Sequence, residues 1–411
     1  MAQHATALAK EWDQPVQEQS IMSQPKSVWA VFFACIIAFM GLGLVDPILP
    51  AIASQLDASP SEVTLLFTSY NAVMAVAMLI TGTLSSRLGM KGTLLTGIVI
   101  IALFAGLGGF SNDIWALVGL RGGWGLGNAL FVATSLAAIV TLSKSGNAKA
   151  VILYEAAIGL GISVGPLLGG WLGAMSWRGP FLGVASLMVI AFIGLFVLMP
   201  TASAASIAEK PKTSLADPFR ALKHRSLRIF GFAAGLYNFG FFTLLAYAPF
   251  VLGLDEHGLG FVFLGWGILL AVTSVFMAPK LQQTLGTIKS MCIMLTLFAC
   301  VLLSMGIWTD TQWLLIIAVI VCGALLGNNN TLITTAVMNA TTVERATASA
   351  AYSFLRFIGA AIAPFLAGKL SEIYNPHVPF VVGASFVFLS VLLILANYKH
   401  VAHVDEVETG H

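Results

Sequence analysis

YEAAIGLGISVGPLLGG, residues 154–170, and YSFLRFIGAAIAPFLAG, residues 352–368, are two versions of one apolar segment. Aligned without a gap they pair Tyr154 with Tyr352, Gly161 with Gly359, Pro166 with Pro364 and Gly170 with Gly368. Each sits in an apolar block long enough to cross a bilayer, which takes about 20 mostly apolar residues. Working outward, the apolar blocks, these two included, stand at roughly 28–50, 63–84, 93–110, 114–141, 150–175, 179–200, 227–252, 259–280, 287–308, 312–338, 347–370 and 378–398. That pattern predicts twelve transmembrane helices. Between the sixth and seventh lies TASAASIAEKPKTSLADPFRALKHRSLR, a polar stretch that divides the chain six and six. The repeated segment then falls fifth in each half.

The expected fold is an all-α integral membrane protein of two pseudo-symmetric six-helix bundles, residues 28–200 and 227–398. A linker, 201–226, joins them, with tails at 1–27 and 399–411. Composition agrees: 58% of residues are hydrophobic and 9% charged, against about 25% charged in a soluble domain. Parallel repeats of this kind form secondary transporters with a substrate site near the membrane midplane.

Twenty basic against 18 acidic residues leave a net charge of +2, which supplies no field for nucleic acid. The basic residues are unevenly placed. Lys10, Lys26, Arg87, Lys91, Lys144, Lys149, Lys210, Lys212, Arg220, Lys223, Arg225, Arg228, Lys280, Lys289, Arg345 and Lys399 fall on one side of the predicted membrane; Arg178 and Lys369 fall on the other. Basic loops stay inside, so both termini are expected to be cytoplasmic, in a plasma or bacterial inner membrane. The polar first 25 residues lack a signal peptide's apolar core. Four scattered cysteines and seven histidines show no metal spacing and predict no disulfide. No G-x-x-x-x-G-K-[ST] stretch is present, so the chain is not expected to hydrolyse ATP or to be an enzyme. No cofactor is expected beyond a proton gradient.

Four ionisable residues lie inside predicted spans: Asp46, Arg121, Glu155 and Arg356. Such charges are costly in lipid and mark functional sites by default, the alternative being ion pairs that hold a bundle together. Asp46 stands in FMGLGLVDPILPAI (39–52), where Pro47 and Pro50 loosen the backbone by removing helix hydrogen bonds. A carboxylate there would load and unload a proton as cavity hydration changes. Glu155 would be a second titrating site, or would pair with Arg121 or Lys149. Arg356 has no counterpart in its repeat partner, which has Ile158; it would bind an anionic substrate group or neutralise Glu155. Tyr70, Asn71, Asn128, Tyr154, Tyr237, Asn238, Phe241, Tyr352 and one amide of GNNNT (327–331), taken as Asn329, are the remaining candidates for an apolar, partly polar cavity wall.

Several motifs carry a family resemblance. GTLSSRLGMKG (82–92) resembles the G-x-L-a-D-r-x-G-r-k loop of the major facilitator superfamily, LVGLRGGWGLGNA (117–129) its R-x-x-x-G motif, and GISVGPLLGG (161–170) the G-P motif of its exporters. The D-P-x-x-P run at Asp46 is similar to a stretch of its twelve-span drug:proton antiporters. The resemblance implies a monomeric transporter that exports amphiphilic, lipophilic or cationic compounds against protons by alternating access. It gives Arg121 a part in proton transfer, and with the membrane acids Asp46 and Glu155 this makes the expected proton-coupling set. It gives gating to Gly82, Ser86, Arg87, Gly89 and Lys91 of the loop, and to Gly161, Gly165, Pro166, Gly169, Gly359 and Pro364 of the repeated spans. Ser86 and Met90 replace the loop's usual acid and base, so the latch of the outward-open state would be weaker or built from Ser86 hydrogen bonds. An organic-anion or sugar carrier, a lipid or glycolipid translocase and a non-transporting receptor are the alternatives.

Overall fold

The computed structural model describes residues 24–144, 147–200, 214, 216–340 and 345–406. The tail containing Lys10, the linker residues Lys210 and Lys212, and the side chains of Lys149 and Arg345 lie outside the described residues. Every apolar block is helical. Among the described residues eleven helices are long and apolar enough to cross a membrane, and one of them, Pro60–Phe110, is two consecutive spans. At about 1.5 Å per residue it is more than twice the ~30 Å bilayer core. Gly89, at φ 69° and ψ 171°, turns the chain in its middle; an L side chain resists that backbone. The spans are Lys26–Gln55, Pro60–Phe110 counted as second and third, Ile114–Leu142, Asn147–Met175, Gly179–Leu198, Arg225–Val251, Glu256–Leu285, Thr287–Ile307, Gln312–Asn339, Arg345–Ile373 and Val378–Ala396.

Local chemistry sets the ends. At the start of the second span Ser59 Oγ accepts from Glu62 N while Ser59 N donates to Glu62 Oε2 at 2.8 Å, a reciprocal cap followed by Pro60. Span one is broken: a helix over Lys26–Gly43, one tight turn at Asp46–Ile48, then a short helix over Leu49–Gln55. The prolines cause it. Pro47 has no N–H for the Gly43 carbonyl, and Pro50 none for that of Asp46.

The two halves repeat in packing as well as in sequence. In span five, Gly161, Gly165 and Gly169 lie four residues apart against span one; a Cβ on either of the first two would stand 2.6 Å from the carbonyl oxygens of Ile36 and Met40, and Gly169 rests on that of Leu44. Span eleven meets span seven the same way, Gly359 resting on the Gly235 carbonyl. Ala363 and Ala367, both buried, replace the other two glycines. The loop after span eight repeats too: LQQTLGTIK (281–289) follows LSSRLGMKG (84–92), and Gly286 at φ 81° and ψ 161° matches Gly89.

Spans two with eleven and five with eight make the broadest contacts between halves. At the end away from the termini, called distal below, these contacts are tight. Ser61 N donates to Glu372 Oε1 at 2.9 Å, a Cβ on Gly368 would lie 2.6 Å from Ser61 Cα, and Gly170 rests on the Glu256 carbonyl. Phe67 of span two meets Phe242 of span seven, centroids 6.4 Å apart.

Candidate functional site

The break in span one exposes the carbonyl end of the Lys26–Gly43 helix inside the N-terminal bundle, and Arg121 of span four reaches it. Arg121 Nη2 donates to the Gly41 carbonyl at 3.3 Å, placing a cation at a helix C-terminus. Its guanidinium lies between two aromatic faces, 4.7 Å from the Tyr70 centroid and 4.1 Å from that of Trp124. Asp46, 1% exposed, is close enough to feel that charge, and its Oδ1 has no hydrogen-bond partner. The two do not form a contact ion pair; the ion pairs among the described residues are Asp217–Arg220 at 3.3 Å and Lys369–Glu372 at 3.0 Å. The glycines of span four allow this approach: Gly125 rests on the Tyr70 carbonyl, and a Cβ on Gly127 would stand 2.7 Å from the Gly97 oxygen. Asn128 completes the cluster with a short hydrogen bond to the Tyr70 hydroxyl.

Tyr70 and Asn128, read from sequence as cavity lining, are therefore buried inside the N-terminal bundle and occupied with each other and with Arg121. Asn71 is equally buried; its Nδ2 donates to the Phe67 carbonyl at 2.8 Å, leaving Oδ1 unpaired. Tyr154 packs edge-on against Phe39 at 6.2 Å.

Glu155, the next residue, is exposed. Leu160, Trp171 and Met175 are the exposed large apolar residues of the same helix. At roughly 100° per residue they cluster on the side opposite Glu155. They mark the lipid face, so Glu155 points inward. Span eight approaches one turn further along, where a Cβ on Gly159 would stand 3.0 Å from Ala271 Cβ. An exposed carboxylate on an inward face requires a cavity open at the end bearing the termini. With the distal seal closed, this is one end state of an alternating-access cycle.

The facing wall belongs to the C-terminal bundle. Arg356 lies opposite the exposed Ile358, Ile362 and Phe365 of span eleven, so it too points inward. Its Nη2 donates to Asn330 Oδ1 at 3.4 Å, and the Tyr237 hydroxyl donates to the same oxygen at 2.8 Å. No ion pair joins Arg356 to Glu155. Of the GNNNT amides Asn330, not Asn329, joins this group: one residue turns the helix by about 100°, and Asn329 is 1% exposed with neither amide atom paired. Only the helical phase of span ten could have selected Asn330, and its apolar residues show almost none. Asn238 is buried and bonded to the Ala234 carbonyl at 3.0 Å, while Phe241 stacks on Trp266 at 5.9 Å beside Phe242, the ring that meets Phe67 across the halves.

The gating candidates lie at two places. Ser86 Oγ donates to the Thr83 carbonyl at 2.8 Å within its own helix and does not bridge the halves in this state. Gly82 and Arg87 are exposed, and Lys91 Nζ donates to the Phe196 and Met199 carbonyls at 2.9 and 2.6 Å, at the end of span six. Pro166 and Pro364 lie inside unbroken helices. Pro166 stands against the break in span one, where a Cβ on Gly43 would come within 2.8 Å of its Cδ.

The profile of the Major Facilitator Superfamily matches residues 31–364 and, in a second match, 246–410. The multidrug efflux protein YfmO of Bacillus subtilis is 55% identical over 397 residues, which cover 96% of this chain and 98% of that one. The quinolone resistance protein NorA of Staphylococcus aureus is 23% identical over 395 residues, 93% of this chain and 99% of its own. Among solved structures, the nucleoside transporter NupG superposes with TM-score 0.74 at 13% identity, and the human organic anion transporter MFSD10 with 0.66 at 16%; each match covers 90% of this chain and 99% of the other. These two likenesses concern the fold.

Proposed function

The chain belongs to the major facilitator superfamily, and on that premise we propose that it is a secondary active transporter that exports amphiphilic compounds in exchange for protons. The kinship with YfmO and NorA, both named for drug resistance or efflux, supports the cargo class. The observation that carries the mechanism is Glu155: a carboxylate on the inward face of a span, exposed to a cavity open at one end and sealed at the other. The end bearing the termini is the cytoplasmic one, in keeping with its basic loops. Substrate enters there and meets Glu155. Rocking of the halves then opens the distal seal, and a proton returns through the acids, with Asp46 beside the Arg121 charge as the second station. The protein works as a monomer in the cell membrane and needs no cofactor.

The test is transport of ethidium in proteoliposomes under an imposed pH gradient, for wild type, Glu155→Gln and Asp46→Asn. Wild type accumulates ethidium against its gradient. Each variant loses that accumulation at least about tenfold, the scale of one lost proton-transfer group, yet still exchanges ethidium across equal pH. Accumulation by Glu155→Gln at the wild-type rate would overturn the role of Glu155, and no accumulation by wild type would overturn proton-driven export itself.

A further inference from the structure

The two membrane arginines differ in how their charge is balanced. Arg121 has a helix end, two aromatic faces and a neighbouring carboxylate around it, although its Nε and Nη1 are buried without a hydrogen-bond partner. Arg356 has one long hydrogen bond, to an oxygen that already accepts from Tyr237, and a distant ring face, Phe357 at 5.8 Å. Its Nε is buried with no hydrogen-bond partner, and the hydroxyl of Tyr352, one helical turn away and 3% exposed, stands among Arg356, Tyr237 and Thr334 without a hydrogen bond of good geometry to any of them. Among the described residues no carboxylate pairs with it: Asp255, Glu256, Asp310 and Glu372 sit at span ends or loops of the distal side, and Asp405 accepts from Thr287 N beyond the last span. Glu155, on the other wall, makes no ion pair with it. The C-terminal wall thus holds a cation beside a loosely bonded phenol, with no carboxylate among the described residues paired to it, in a place where an uncompensated charge is costly.

We propose that Arg356, with Tyr352 beside it and Asn330 holding it in place, forms a carboxylate-binding subsite, so that the preferred cargo is an amphiphile carrying both a cationic and a carboxylate group. The planar guanidinium fork matches a carboxylate with two parallel N–H bonds, and the tyrosine hydroxyl supplies a third donor. The cargo's cationic end meets Glu155 across the cavity, and its apolar body lies under Phe241 and Trp266. This subsite rests on the export reading above and narrows it: a permanent cation with no acid is carried on one wall alone.

Rhodamine B, a zwitterion with a free carboxylate, and its ethyl ester, a cation with that group blocked, separate the two ideas. Transport of each is measured in proteoliposomes for wild type, Arg356→Gln, Arg356→Lys and Tyr352→Phe. Arg356→Gln raises the KM for rhodamine B at least about tenfold more than the KM for the ester, as expected for one lost charge-assisted pair. Arg356→Lys gives an intermediate ratio, and Tyr352→Phe moves it about threefold in the same direction. Parallel changes for both dyes, or none, would overturn the subsite. If wild type moves neither dye under a pH gradient, the export reading fails instead. Fluorescence polarisation of the two dyes bound to the same proteins in detergent then decides the subsite: a tenfold loss of rhodamine B affinity in Arg356→Gln supports it, and equal affinities overturn it.

Discussion

At the scale of single residues, the sequence showed which groups carry chemistry but not what surrounds them. A charge inside an apolar block is legible without coordinates, and Asp46, Arg121, Glu155 and Arg356 all stand out. Their partners lie on other helices, at phases the sequence leaves free. Nothing in LVGLRGGWGLGNA says that Arg121 reaches the end of span one, because that end exists only through the break at Pro47 and Pro50. The geometry makes Arg121 a poor site for lysine. An ammonium would keep the charge but lose the flat stacking on Tyr70 and Trp124, worth about 0.5–2 kcal/mol for such a contact. Arg121→Lys should therefore lower the thermal unfolding midpoint in detergent by about one to two degrees (about 1 °C per kcal/mol for a chain of this length) and slow ethidium transport. A lysine variant with wild-type melting would mean that the rings contribute nothing beyond packing.

At the scale of elements, the spans were readable because lipid demands long apolar helices, and the predicted blocks agree with the helices to within a few residues at most ends. The exceptions are informative. The eighth span runs on to Leu285 through a wide π-type turn at Thr273–Met277, beyond its apolar part. The second glycine loop, at Gly286, was invisible because little but its leucines and its glycine survives from the first, while the backbone it imposes is the same. The contact of spans one and five invites a pairwise test. A methyl added at Gly43 collides with the Pro166 ring, so Gly43→Ala should destabilise by about 1–3 kcal/mol, the usual cost of overpacking. Pro166→Ala removes the colliding Cδ and Cγ. The double variant should regain at least half of the Gly43→Ala loss, measured as unfolding midpoints of all four proteins; simple addition of the two losses would show that the ring is not the obstacle.

For the whole molecule, the six-plus-six division follows from the repeat and the linker, but a repeated sequence does not reveal which end is open. That depends on a balance between two seams, and the distal seam is the closed one here, with Gly368 of span eleven seated on the backbone of Ser61. The closure can be biased at one atom. A leucine at 368 finds no room while the halves are shut and ample room once they part, so it penalises only the distal-closed state. A penalty of about 1.4 kcal/mol, within the range for overpacking, moves the population ratio tenfold. The reporter is Glu155→Cys, in a background where Cys35, Cys292, Cys300 and Cys322 are replaced by alanine or serine. A membrane-impermeant maleimide added from the side of the termini labels it readily in the state described. Adding Gly368→Leu should slow that labelling, by about twofold if the ratio falls from 10:1 to 1:1 and by up to about tenfold if the two states start nearer balance or beyond it, because parting the distal seam closes the other end around position 155. Unchanged labelling would mean that the contact of spans two and eleven is packing alone, and that the closed seam of the cycle lies elsewhere, at spans five and eight.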